Sequence, residues 1–387
     1  MKKIFRLLPV FATFFLFASP SIHARENNDS TEKPSASTAS ETISSLQAKA
    51  AAGDLSSLFS LALRYERGDG VPKNPQKAYE MALKGAELGH HSAQALVGRF
   101  FQNGFGVKQD YKIAGEWYKK AADQGSAMAE IGLASLLEKG LGVAKNEPLA
   151  ASLYKRAAEL GYPDAAASLG LMLEDGRGVE KNISQAMSWY RKCAEPNRYS
   201  SDGTPFCQWR LGVSLMGSGK STEGLILVKK AAEKSNYGII LNELGNIYEH
   251  GLGGVPKDDR LAFEWYKKAA DTGLAVAKYN LGRMYESGQG VMKNEELADL
   301  MYVSAIYGGD KKAAEQLKVL REKRDQKEKA ELADAPAPRP GCHTVYETEP
   351  TTDVTNECDY NNFGPTNCHD VIKSGSRQVA REVCNAK

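Results

Sequence analysis

The chain has 387 residues, enough for two or three ordinary domains, and carries 50 Lys and Arg against 48 Asp and Glu. That balance excludes the strong positive field that gathers nucleic acid or an anionic membrane surface. Six cysteines, an even number, suit disulfides in an exported chain.

Met1-Lys2-Lys3, an apolar stretch from Ile4 to Ala18 and small residues ending at Ala24 form the pattern of a secretory signal peptide, residues 1–24. No cysteine lies near Ala24, which argues against a lipoprotein anchor. The apolar run is short for a membrane span, and no later stretch reaches about 18 uncharged apolar residues. The mature chain is therefore expected in the periplasm of a bacterium, or secreted. Removing the signal takes away Lys2, Lys3 and Arg6 and no acid, leaving 47 basic residues against 48 acidic. Residues 25–41, rich in Ser, Thr, Asn and Glu, have too little apolar surface to fold and read as a flexible leader.

From Thr42 onwards a helical pattern is punctuated by glycine pairs. Gly68-Asp-Gly70-Val71, Gly104-Phe-Gly106-Val107, Gly140-Leu-Gly142-Val143 and Gly176-Arg-Gly178-Val179 recur 36 residues apart. Looser copies follow at Gly217-Ser-Gly219, Gly251-Leu-Gly253-Gly254-Val255 and Gly288-Gln-Gly290-Val291. A fixed period of this length predicts stacked repeats, here about seven. Thr42–Gly53 matches the second half of a unit and caps the first end.

Each unit holds two helices. Helix A precedes the glycine pair; in the last unit Ala277, Leu281 and Tyr285 stand four apart and form one buried stripe. Gly282 lies beside that stripe, as do Gly98, Gly170, Gly212 and Gly245, while Ala62 and Ala134 take the place elsewhere. Mid-helix glycine costs about 1 kcal/mol against alanine, so its recurrence argues for close helix packing. The first glycine of each pair is placed to end helix A in the left-handed conformation. Asn74, Asp110, Asn146, Asn182, Ser221, Asp258 and Asn294 then stand as N-caps of helix B. Helix B alternates small alanines with bulky aromatics, as in Ala114-Gly-Glu-Trp117-Tyr118-Lys-Lys-Ala121-Ala122.

The fifth unit breaks the rhythm, its interval stretched to 41 residues by an insertion around Glu195–Pro205. Cys193 and Cys207 flank the insertion, where a disulfide would clamp the loop and stabilise by roughly 2–4 kcal/mol. After the seventh unit, Asp310–Ala333 is a charged helical stretch suited to capping the array. A Pro-rich linker, 334–341, leads to a tail, 342–387, holding Cys342, Cys358, Cys368 and Cys384. The tail is too small to rely on a core, so disulfides are expected to staple it. Nearest-neighbour pairing would join Cys342 to Cys358 and Cys368 to Cys384, but three connectivities are open.

Signs of chemistry are sparse. His90-His91 lacks the i, i+4 spacing of helical metal ligands and reads as two solvated side chains. Gly217-Ser-Gly-Lys220-Ser221 lacks the spacing and the preceding strand of a phosphate loop. Cys342-His343 and Cys368-His369 could suit zinc, but no Cys-x-x-Cys occurs and disulfides are favoured. No catalytic residue, metal or cofactor is expected.

The pattern A…LG..Y..G.GV, an N-cap, then A..WY.KAA..G is similar to the Sel-one-like repeat (SLR), a relative of the tetratricopeptide repeat. The resemblance spans about 42–333. It implies an all-α fold, a right-handed α/α solenoid of helix-turn-helix repeats. It also implies an adaptor that binds protein partners on a concave face lined by helix A. The Cys193/Cys207 placement looks like the interhelical disulfides of cysteine-rich bacterial members. By register, Phe59, Arg99, Glu138, Glu174, Trp209, Asn246, Tyr279 and Arg283 turn towards that face. Trp209 has a second reading, packing on the insertion, and the glutamates before the glycine pairs have one as part of the repeat pattern. The expected function is a non-enzymatic periplasmic scaffold for an envelope regulator or secretion component. One alternative is an immunity protein neutralising a secreted periplasmic toxin such as a lipase. A second alternative is a cell-wall or β-lactam-related hydrolase.

Overall fold

The computed structural model describes residues 42–197, 201 and 203–333, and the backbone of strands 342–361 and 364–384. The expected signal, leader and Pro-rich linker lie outside the described residues. The chain divides into two compact units, one up to Lys234 and one from Ser235.

The first unit is built from α1 (Ile43–Ala51), α2 (Leu55–Arg67), α3 (Pro75–Glu87), α4 (His91–Asn103), α5 (Tyr111–Ala122), α6 (Ala127–Lys139), α7 (Glu147–Glu159), α8 (Pro163–Asp175), α9 (Ile183–Ala194), α10 (Pro205–Gly217) and α11 (Ser221–Lys234). Helix α1 covers α2; five A/B pairs follow, from α2/α3 to α10/α11, each packed on the next. The second unit contains α12 (Gly238–His250), a 3-10 turn at Leu252–Gly254, α13 (Asp259–Asp271), α14 (Ala275–Ser287), α15 (Glu295–Tyr307) and α16 (Lys311–Ala333). Its two pairs, α12/α13 and α14/α15, are followed by α16, which lies against α15 and α14. Among the described residues no helix is long and apolar enough to cross a membrane.

The repeat is written into the helix ends. Six of the seven expected N-caps accept a backbone hydrogen bond, as Asn74 Oδ1 does from Lys77 N at 2.9 Å. Ser221 does not fit that role: it is the first residue of α11. The first glycine of each regular pair caps helix A in the left-handed region, as Gly104 does at φ 68°. The second has a different task. A Cβ on Gly106 would sit 2.1 Å from the Pro75 carbonyl oxygen, and one on Gly142 2.3 Å from the Tyr111 carbonyl carbon. The loop thus presses against the start of the previous helix B, and only a residue without a side chain fits. In the fifth unit Gly217 stays inside α10, so this loop departs from the pattern.

The mid-helix glycines meet aromatic rings. A Cβ on Gly98, Gly170, Gly245 or Gly282 would lie 2.4–2.8 Å from the ring of Tyr118, Tyr190, Tyr266 or Tyr302. These tyrosines of helix B, with Tyr154, are almost fully buried. Cys193 and Cys207, both buried, form the expected disulfide between the end of α9 and the start of α10.

The array is all-α, as expected. The tail adds an antiparallel hairpin of β1 (Cys342–Asn361) and β2 (Gly364–Cys384). Its register sets Cys342 opposite Cys384 and Cys358 opposite Cys368, which is not the nearest-neighbour arrangement.

Candidate functional site

A row of polar contacts runs along the A helices of every repeat but the fifth, where Leu215 takes the acceptor's place. Two residues before the first glycine of the pair stands an acid, Glu66, Glu138, Glu174, Glu249 or Glu286, or in one repeat Gln102. In all but the first of these repeats, where Ala82 takes the place, the buried tyrosine of the following helix B donates its hydroxyl to this residue. Tyr118 reaches Gln102 at 2.7 Å, Tyr154 reaches Glu138 at 3.2 Å, Tyr190 reaches Glu174 at 2.9 Å, and Tyr266 and Tyr302 reach Glu249 and Glu286 at 2.7 Å.

A donor from the next repeat, or at the last step from α16, reaches each of the five glutamates. Arg99 grips Glu66 with two hydrogen bonds of 2.7 and 2.8 Å. Arg177 binds Glu138, Arg210 binds Glu174, and Arg283 Nη2 binds Glu249 at 2.6 Å. At the last step Gln316 donates to Glu286 at 2.8 Å, and Lys323 approaches it at 3.4 Å. Charge-assisted bonds of this kind are short and directional, so they fix the register of one repeat on the next.

Burial sets the protonation. It pushes the Tyr154, Tyr190, Tyr266 and Tyr302 hydroxyls well above the usual phenol range, with the acceptor carboxylates adding to the shift, so they remain donors. Burial also pushes the Glu286 carboxyl up, but hydrogen bonds from Tyr302 and Gln316 and the charge of Lys323 outweigh it and hold the group below its usual range.

The eight surface residues singled out by register have different fates. Arg99, Glu138, Glu174 and Arg283 belong to this inter-repeat row, so their heads are already engaged. Trp209 does not offer a surface. It is 4% exposed and packs edge-on against Phe206 of its own helix. Phe59, Asn246 and Tyr279 remain half-buried on α2, α12 and α14. Phe59 lies against His90 with ring centroids 5.5 Å apart, and Tyr279 lies against Tyr302 at 5.8 Å.

His90 is not merely solvated. Its Nδ1 caps α4 by accepting from Ala93 N at 3.2 Å, and burial beside His91 lowers its pKa. Sequence reasoning missed Glu66, Arg177 and Arg210 as partners. One signal was available: a tyrosine stands 16 residues after Gln102, Glu138, Glu174 and Glu286. Among the described residues no group of three or more His, Cys, Asp or Glu is placed to hold a metal ion. The arrangement joins repeats; it sets no nucleophile beside a base.

The Sel1 repeat family model matches residues 55–90, 91–126, 127–162, 163–195, 241–274 and 275–310. It skips the irregular segment that contains α10 and α11. The chain is similar to a Sel1 repeat protein of Oxalobacter formigenes, with 26% identity and a TM-score of 0.54, covering 72% of this chain and 79% of that one. It is also similar to a protective antigen of uropathogenic Escherichia coli displaying an SLR fold, with 28% identity and a TM-score of 0.43, covering 72% and 67%. Among curated proteins, the chitin synthase regulator SKT5 of Saccharomyces cerevisiae is 40% identical over 70 residues, 17% of this chain and 10% of that protein. Cytochrome c oxidase assembly factor 7 of Xenopus tropicalis is 38% identical over 64 residues, 16% and 28%. The chain thus spans a small part of the curated relatives it matches.

Proposed function

The chain belongs to the Sel1 repeat family, and on that premise we propose that it is a non-enzymatic, periplasmic scaffold holding a protein partner on its helix A face. Sel1 repeat proteins in general mediate protein–protein interaction, and the repeat is typically non-catalytic. The observation that carries the reading is the polar row: it ties consecutive A helices within each unit while Phe59, Asn246 and Tyr279 stay half-exposed on the same helices. A stiffened surface with aromatic side chains loses little conformational freedom on binding. The periplasmic placement rests on the signal-like residues 1–24 and on the Cys193–Cys207 disulfide, which suits an oxidising compartment.

The test is affinity capture from periplasmic extract with the full chain and with the single variants Phe59→Ala and Tyr279→Ala. A specific partner is expected with the wild type, with capture reduced about tenfold by each variant at nearly unchanged melting temperature. Absence of any partner that depends on these residues would overturn the reading. A tight one-to-one complex covering a toxin's active site would identify the partner as a toxin; weaker, reversible binding to a sensor or secretion component would identify a regulator.

A further inference from the structure

The end of the second unit departs from the repeats before it. Helix α14, the loop after it and α16 line an open cavity of about 550 Å³. Arg283, Lys293, Lys323, Arg324 and Lys327 line it, against only two carboxylates, Glu286 and Glu295. The α16 wall itself carries eight basic residues and five acidic ones in a chain that is otherwise close to neutral.

The local carboxylates are already engaged. Glu286 accepts from Tyr302, Gln316 and Lys323, and Glu295 pairs with Lys293 at 2.6 Å. Arg283 is held by Glu249, outside the cavity. Arg324 has no hydrogen-bond or ion-pair partner among the described residues and feels Glu295 only through space. Lys327 pairs with Glu331, 3.8 Å away on its own helix, with both side chains more than half exposed, and like Arg324 it feels Glu295 through space. Such an exposed i, i+4 pair holds its members weakly. In the earlier repeats a glutamate meets a cation supplied by the chain. Here a guanidinium and an ammonium face a cavity whose two carboxylates are already engaged by Lys293, Lys323, Tyr302 and Gln316.

We propose that this cavity docks an acidic, carboxylate-rich peptide segment of a partner protein, Arg324 and Lys327 taking its carboxylates. The inference rests on the scaffold reading and adds the partner's chemistry. A guanidinium fork matches a carboxylate in two parallel hydrogen bonds, and an ammonium adds a point charge. The volume suits a few side chains, within the usual range of binding pockets. A long polyanion such as nucleic acid would need a basic stripe along the array, whereas the excess here is confined to one end.

The experiment is fluorescence anisotropy of the full chain with a labelled short peptide of alternating Glu and Gly, and with its Gln counterpart. The Glu peptide should bind, more tightly as salt falls, and the Gln peptide at least about tenfold more weakly. Arg324→Glu with Lys327→Glu should weaken the Glu peptide about twentyfold at unchanged melting temperature, because both side chains are exposed. Lys318→Glu with Lys329→Glu, on α16 but outside the cavity, should change it less than about threefold. Equal binding of the two peptides, an indifferent cavity variant, or displacement of the peptide by single-stranded DNA at lower concentration than by the unlabelled peptide would each overturn the proposal. If the cavity variant still captures the periplasmic partner and the peptide fails to bind, this inference falls and the scaffold reading stands. If the peptide binds but no partner depends on Phe59 or Tyr279, the scaffold reading falls.

Discussion

Two steps of the polar row use the same parts in opposite surroundings. Between α8 and α10, Tyr190 and Arg210 converge on Glu174, and the two ionised residues are 7% and 8% exposed. Between α14 and α16, Tyr302, Gln316 and Lys323 converge on Glu286, but the Lys323 side chain is 63% exposed. In the first setting neither ion can return to water without opening the packing. In the second, water and salt compete with the lysine at once. One sequence device therefore serves as a lock in the first unit and leaves an exchangeable charge in the second.

The sharpest way to break this comparison is to remove one member from each step. Arg210→Ala strands a buried carboxylate and should destabilise by about 3–5 kcal/mol. Glu286→Gln keeps the shape and part of the hydrogen bonding, and should cost less than about 1 kcal/mol. Urea unfolding of the full-length variants reads both. Equal losses would show that burial does not separate the two steps. The buried step also has unpaired atoms, since Arg210 Nε and Trp209 Nε1 find no hydrogen-bond partner among the described residues. An apolar replacement of the whole set that proved neutral would fit that accounting.

The disulfide belongs to the locked side. Cys193 and Cys207 enclose the insertion at a separation of 14 residues, and replacing both by Ser should cost roughly 2–4 kcal/mol. The loss should appear in the unfolding of α9 and α10 by hydrogen exchange, while α14 to α16 keep their protection. Uniform loss across both units would contradict a local clamp.

Much of the fold was legible because its signals are local. A left-handed glycine, an Asn or Asp cap and a four-residue apolar stripe each act within one turn, so Gly104, Asn74 and Leu281 could be placed from neighbours alone. The cations of the polar row were not legible, because they lie 33–39 residues from their glutamates and come from different places: Arg99 from a helix, Arg177 from a loop. Trp209 was misplaced as well. Trp209 holds the same place relative to Gly212 as Tyr279 does to Gly282, yet in α10 the ring is buried against Phe206, a contact between two residues of that helix. Ser221 failed as a cap because Gly217 does not end its helix and the loop is correspondingly shorter. The family model loses the same segment, so sequence signal and structural regularity fail together there.

The smallest expected effect tests whether the exposed step is electrostatic at all. Burial alone would raise the Glu286 carboxyl, but the hydrogen bonds from Tyr302 and Gln316 and the charge of Lys323 hold it below its ordinary value of 4.5. The folded state therefore binds this proton less readily than the unfolded state. Its contribution is complete above about pH 4.5 and is lost as the pH falls through the depressed folded value. Wild type and Glu286→Gln should differ by less than about 1 kcal/mol near pH 6, and the difference should shrink towards zero near pH 3. Thermal melts across that range at low salt check the sign. A gap that stays constant with pH would mean that Glu286 acts through shape and neutral hydrogen bonds. The contrast between a locked and an exchangeable charge would then lose its second half.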